Sequence, residues 1–106
     1  MITIEQFQQV ELRVGTIRAA DVHPNADRLV VLKVDVGGEE RQIVAGIRRH
    51  YEPAALVGRQ VVVVANLQPA TLRGMESQGM VLAASAGDGL TLVRPDEPIA
   101  PGAVVR

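Results

Sequence analysis

Apolar residues recur along this chain in short runs with a period of two, separated by glycines and polar clusters. Leu29 to Val36 shows the pattern best. Val30, Leu32, Val34 and Val36 fall on one side of an extended chain, with Lys33 and Asp35 on the other. This predicts a strand, which Gly37 and Gly38 turn into a hairpin with Arg41 to Ile47. A two-residue turn would set Glu40 opposite Asp35, a like-charge pair costing about a few tenths of a kcal/mol or more. One more loop residue sets Arg41 there instead, and charge favours that longer loop.

Upstream, Leu12, Val14 and Ile17 mark a first strand whose apolar spacing changes from two to three across Gly15, predicting a bulge and a bend there. Thr3 and Gln6 have capping-box spacing, which predicts a short helix to about Val10. Ala19 to Arg28 reads as a loop around Pro24. Arg48 to Leu56 reads as a connector, with a short helix started by Pro53 and stopped by Gly58. Strands follow at Gln60 to Ala65, Gly79 to Ala84 and Leu90 to Arg94. Pro95, Pro98 and Pro101 exclude regular structure until Val104 and Val105, which are placed to join a sheet edge.

Three strands, a short helix and two more strands, with a bend in the first, are the plan of a five-stranded OB-fold barrel. The expectation is therefore an all-β chain, a single domain over residues 1–106, with short helices and a C-terminal β extension. Such barrels bind oligonucleotides with strands two and three and the loops after strands one and four. Here those loops are His23 to Arg28 and Asn66 to Gln78. The second is long, about a dozen residues, and loops of that length usually have a use. It carries Asn66, Arg73 beside Gly74, and Ser77 before Gly79 and Met80.

Composition narrows the chemistry. A chain of 106 residues supports one core and gains from a second subunit. The absence of cysteine excludes disulfides and thiolate catalysis or ligation. The longest apolar run, Val61 to Ala65, is far too short to span a bilayer, and the amino terminus lacks signal-peptide character, so a soluble cytoplasmic protein is expected. With a net charge of −1 and a pI of about 6.1, any nucleic-acid binding needs a local basic patch. Phe7 and Tyr51 are too few aromatics for a base-stacking platform.

Gly74, Ser77 and Gly79 spell G-x-x-S-x-G, one residue away from a nucleophile elbow, so no hydrolase is expected. His23 with Asp27, and His50 with Glu52, lack a zinc-motif context, and neither a metal nor another cofactor is expected. His23 is better placed to anchor its loop. Arg48 and Arg49 read as a solvated pair, and Met80 as core filler, ligand contact, or both.

The segments LRVG (Leu12 to Gly15), HPNADRL (His23 to Leu29), VDVG (Val34 to Gly37), RQIVAGI (Arg41 to Ile47), and NL followed by LRGMESQGM (Asn66, Leu67, Leu72 to Met80) closely resemble the tRNA-binding domain family. The resemblance runs from about Phe7 to Ala84. That family includes stand-alone dimeric tRNA-binding proteins, the C-terminal domain of bacterial methionyl-tRNA synthetase, a segment of the phenylalanyl-tRNA synthetase beta chain, and a secretion-associated chaperone-like protein. The resemblance implies non-enzymatic binding of tRNA by shape, at its outer corner. It also implies contacts at Lys33, Asn66, Arg73, Ser77 and Met80, with Arg28, Arg41 and Gln42 beside them. Phosphate and 2′-hydroxyl contacts suit such residues and need few aromatics.

With no synthetase catalytic region and a Met1 start, a free-standing protein is expected, with an aminoacyl-tRNA synthetase as a candidate partner. A homodimer is expected as well, because Ile4, Phe7, Leu90, Leu92, Val93, Val104 and Val105 need cover. The alternative is a chaperone-like dimer that binds unfolded or partner polypeptides.

Overall fold

A computed structural model describes residues 1–106. Thr3 caps helix α1 (Ile4–Phe7) reciprocally: its hydroxyl accepts from the Gln6 N–H, and its own N–H donates to the Gln6 side chain at 2.8 Å. The helix stops short of Val10. None of its residues is buried, and a helix without a packed face has little to extend it.

Strand β1 (Leu12–Val22) is longer than expected and takes in Ala19 to Val22, which the sequence suggested were loop. Its first half pairs with β4 (Gln60–Val64) and its second half with β2 (Val30–Asp35), Thr16 being shared by both ladders. The bend comes from a register shift at Arg18, between Ile17 and Ala19, rather than at Gly15. Gly15 has a different task. A Cβ there would overlap the Cγ1 of Val34 and lie 3.1 Å from the Cγ2 of Val63, so glycine permits the close crossing of β1 over the core.

Strand β3 (Glu40–Ala45) pairs with β2 in the register that sets Glu40 opposite Asp35, against the charge-based expectation. Gly37 and Gly38 have φ values of 99° and 83°, which suits a two-residue turn. The like charges are dealt with sideways. The Asp35 carboxylate accepts from the Gly37 N–H at 2.9 Å and pairs with bulged Arg18 at 3.1 Å, while Glu40 is exposed to solvent.

After β4, the stretch expected as an open loop folds into a hairpin of β5 (Ala70–Leu72) and β6 (Met75–Ser77). Strand β7 (Met80–Val81) returns to β4, completing a nearly closed barrel sheet in the order β3-β2-β1-β4-β7. A second small hairpin, β8 (Ala83–Ala86) with β9 (Gly89–Leu92), follows, and β10 (Val104–Val105) adds to the start of β1. This is the all-β barrel with a C-terminal β extension that the pattern predicted.

Ile17, Val30, Leu32, Val34, Ile43, Val61 and Val63 fill the barrel, and Leu56, just beyond a 3-10 turn at Pro53–Ala55, is buried with them. Leu90 and Leu92 pack against this core, so they are less in need of outside cover than the sequence suggested. Ile4, Val93 and Val104 do remain exposed.

Candidate nucleic-acid interface

The β2–β3 ladder places Lys33 directly opposite Gln42, and the lysine Nζ donates to the Gln42 side-chain oxygen at 2.7 Å. Both residues are half-buried. Four basic side chains are paired with carboxylates: Arg13 with Glu11, Arg18 with Asp35, Arg41 with Glu39 and Arg48 with Glu52. The other seven, Lys33, Arg28, Arg49 and Arg73 among them, have no carboxylate within 4 Å. A cation with no local counter-ion is available to a phosphate.

Arg73 owes its position to the β5–β6 turn. Arg73 and Gly74 have φ values of 52° and 87°, and Arg73 is the one non-glycine residue in the left-handed region. This conformation costs an arginine about 1–2 kcal/mol. The guanidinium is carried on the exposed tip of the hairpin.

Ser77 fastens that hairpin to the barrel. Its hydroxyl accepts from the Val44 N–H at 3.0 Å and donates to the Gly79 carbonyl at 2.9 Å, and the residue is only 5% exposed. Gln78 works beside it: its side-chain oxygen accepts from the Gln42 N–H at 3.0 Å, and its own N–H donates to the Gln42 carbonyl at 2.7 Å. The Gln42 side chain also donates to the Glu76 carbonyl at 2.9 Å. These bonds cover the free edge of β3, which would otherwise expose unpaired backbone groups. The role of Gln78 was missed from sequence; its one signal is that β3, paired only with β2, needs partners for its outer N–H groups.

The remaining expected contacts lie around this group. Arg41 donates to the Ala65 carbonyl as well as pairing with Glu39. Asn66 ties down the amino-terminal segment, accepting from the Glu11 N–H at 2.9 Å and donating to the Gln9 carbonyl at 2.7 Å. Arg28 is exposed at the end of its loop, where its carbonyl receives the Arg48 N–H. Met80 is 47% exposed opposite Val64, so it is not core filler. The structure thus brings Lys33 to Gln42 across the β2–β3 ladder and Ser77 to the outer edge of β3, while the amide of Asn66 faces the chain's own backbone.

Between β3 and the β5–β6 hairpin lies a cleft of about 420 Å³ with a mostly apolar lining that includes Val44, Ile47, Leu67, Leu72, Met80 and Leu90. Tyr51 offers no stacking face there. Its hydroxyl accepts from the Leu92 N–H at 3.0 Å and Arg59 lies over its ring at 5.6 Å; hydrogen bonds from Thr91 and then Leu92 hold the phenol pKa below its usual value. No three His, Asp or Glu side chains converge as a metal site would require. No helix is long and apolar enough to cross a membrane.

Residues 12–104 match the family described as a tRNA binding domain. The chain is 50% identical over 105 residues to a methionine–tRNA ligase of Pyrococcus furiosus, an alignment covering 99% of this chain but 14% of that ligase. Among solved structures it is similar to a MetRS related protein from Pyrococcus horikoshii, with a TM-score of 0.93, 34% identity, and 100% and 98% of the two chains covered. It is also similar to the chaperone CsaA from Bacillus anthracis, with a TM-score of 0.91, 29% identity, and 100% and 99% covered. With the family match spanning nearly the whole barrel and its extension, the chain belongs to the tRNA-binding domain family.

Proposed function

We propose that residues 1–106 act as one non-enzymatic binding unit that grips folded tRNA by its shape and backbone at the outer corner. The observation that carries this reading is a set of cations without carboxylate partners, Lys33 on the barrel face and Arg28 and Arg73 on the two rim loops, in a chain whose net charge is −1. Lys33, Arg28 and Arg73 meet phosphates, Gln42 offers a hydrogen bond beside Lys33, and Met80 covers an apolar part of the ligand. Arg41 and Asn66 border the surface, and Ser77 holds the hairpin in place from beneath.

A salt series tests this. The chain should bind tRNA more tightly than an unstructured RNA of equal length, and Arg73→Ala should flatten the slope of log K against log salt by about 0.7 to 0.9. Equal affinity for both RNAs, or an unchanged slope in the variant, would defeat the reading. A cytoplasmic site of action follows from this proposed ligand as an expectation, and the similarity to methionine–tRNA ligases makes an aminoacyl-tRNA synthetase the partner to test first.

The working unit is proposed to be a homodimer. Exposed Ile2, Ile4, Val10 and Val104 sit on the amino-terminal segment and on β10, which adjoin each other beside Asn66. Burying such side chains is worth about 1.5–3 kcal/mol each. Sedimentation should show a dimer at micromolar concentration, and a monomer alone would refute it.

The apolar cleft favours a second reading, in which polypeptide side chains dock there as they would on a chaperone. A peptide that tRNA displaces shares the RNA face. A peptide bound independently of both salt and tRNA would favour this alternative.

A further inference from the structure

We propose that His23 is a positioning residue that locks the two rim loops to each other, so that Arg28 and Arg73 meet the RNA at a fixed separation. The proposal rests on the tRNA-binding reading above. His23 opens the first loop, and its backbone N–H closes that loop on the Leu29 carbonyl at 3.1 Å. The residue is only 4% exposed. Its Nδ1 lies 3.0 Å from the Asn25 N–H, and its Nε2 lies 3.0 Å from the Leu72 carbonyl. The Asn25 bond makes Nδ1 an acceptor. The ring proton is therefore on Nε2, where it donates to Leu72, the residue immediately before Arg73.

The second hairpin explains why this bond matters. Strand β6 is tied to the barrel through Ser77 and Gln78, but β5 is exposed throughout and pairs with β6 alone. The side-chain bond that reaches β5 from another part of the fold is the one from His23. A rigid ring with an acceptor on one side and a donor on the other can hold an i+2 N–H and a distant carbonyl together. Loops fixed before binding lose less entropy when they meet a ligand.

Two near-isosteres separate the two bonds. His23→Gln keeps a far N–H donor for Leu72 and loses the near acceptor; His23→Asn keeps the near acceptor and loses the far donor. With folding confirmed by urea denaturation, the Gln variant should bind tRNA within about twofold of the parent, and the Asn variant roughly three- to tenfold more weakly. Both should retain the parental salt slope, because no charge is removed. The amides around Leu72 to Met75 should exchange faster in the Asn variant alone.

A folded Asn variant with parental affinity overturns the proposal, as does a Gln variant weaker than the Asn variant. If neither variant folds, ¹⁵N spectra of the unaltered protein decide: a proton on Nδ1 overturns the joint, and one on Nε2 supports it. A parent protein with no preference for tRNA overturns the tRNA reading and the functional role of the joint together. Parental tRNA binding that the Asn variant fully retains overturns the positioning role alone.

Discussion

The β2–β3 and β5–β6 hairpins use the same turn and differ in almost everything else. Each closes with two residues at positive φ, Gly37 and Gly38 in one, Arg73 and Gly74 in the other. The first is built into the core, with Val30, Leu32, Val34 and Ile43 fully buried between its strands and the rest of the barrel. Its turn packs under the C-terminal extension, where the Gly102 N–H donates to Val14 at 2.7 Å. The second has three-residue strands of which Ser77 alone is buried, and its turn faces open space. One hairpin is held by apolar burial, the other by a few side-chain hydrogen bonds. The first can therefore serve as a fixed platform for Lys33, and the second as an arm for Arg73 whose mounting rests on those few bonds.

The space around the two turns should therefore differ in its tolerance of a methyl group, tested at Gly102, which packs on the first turn, and at Gly74 within the second. Gly102 has a φ of 90°, and a Cβ there would lie 2.8 Å from both the Gly37 Cα and the Val36 carbonyl. Gly102→Ala should lower the unfolding free energy by roughly 2–5 kcal/mol, from backbone strain and overpacking together. Gly74→Ala meets nothing within 4 Å and should cost only about 1 kcal/mol, for its positive φ. Equal losses in urea denaturation would erase the distinction.

Ser77→Ala probes the fastener of the second hairpin. Its loss leaves the Val44 N–H and the Gly79 carbonyl without this partner, at a cost of about 1–3 kcal/mol. The loss should show as faster amide exchange in β5 and β6, with the barrel amides little changed. A uniform loss of protection across both hairpins would mean that they unfold as one.

A smaller effect is expected for Arg73→Gly. Glycine adopts the left-handed turn freely but gives the unfolded chain more entropy, so stability should change by less than about 1 kcal/mol. tRNA affinity should fall all the same, with the salt slope flattened by about 0.7 to 0.9. A drop in stability with unchanged affinity would make the arginine a structural residue.

The smallest effect concerns pH and belongs to the first hairpin. The Gly37 N–H, and then Arg18, hold the Asp35 carboxyl below the usual carboxylate range. A depressed folded-state pKa contributes stability that is complete above the unfolded value of about 4 and is lost as pH falls through the folded one. Asp35→Asn should flatten the acid limb of the stability curve below about pH 4. An unchanged limb would show that Arg18 and the turn are indifferent to this charge.

The alternation at Val30 to Val36, the Gly37–Gly38 turn and the apolar run at Val61 to Val64 were enough to specify an all-β barrel, because each encodes a local preference and a buried face in adjacent residues. The motifs shared with the tRNA-binding domain family were legible for the same reason. Tertiary structure alone decided the register of the first hairpin. Charge pairing argued against Glu40 opposite Asp35, but the bulge that brings Arg18 to Asp35, 17 residues away, arises only when β1 pairs with β2. It also turned the expected loop into the β5–β6 hairpin, whose short strands have too little apolar alternation to announce themselves. Their partners, Gln42, Val44 and His23, lie 33 to 49 residues upstream. Local patterning determined what the core would be. Long-range hydrogen bonds determined how the arm bearing Arg73 is mounted on it.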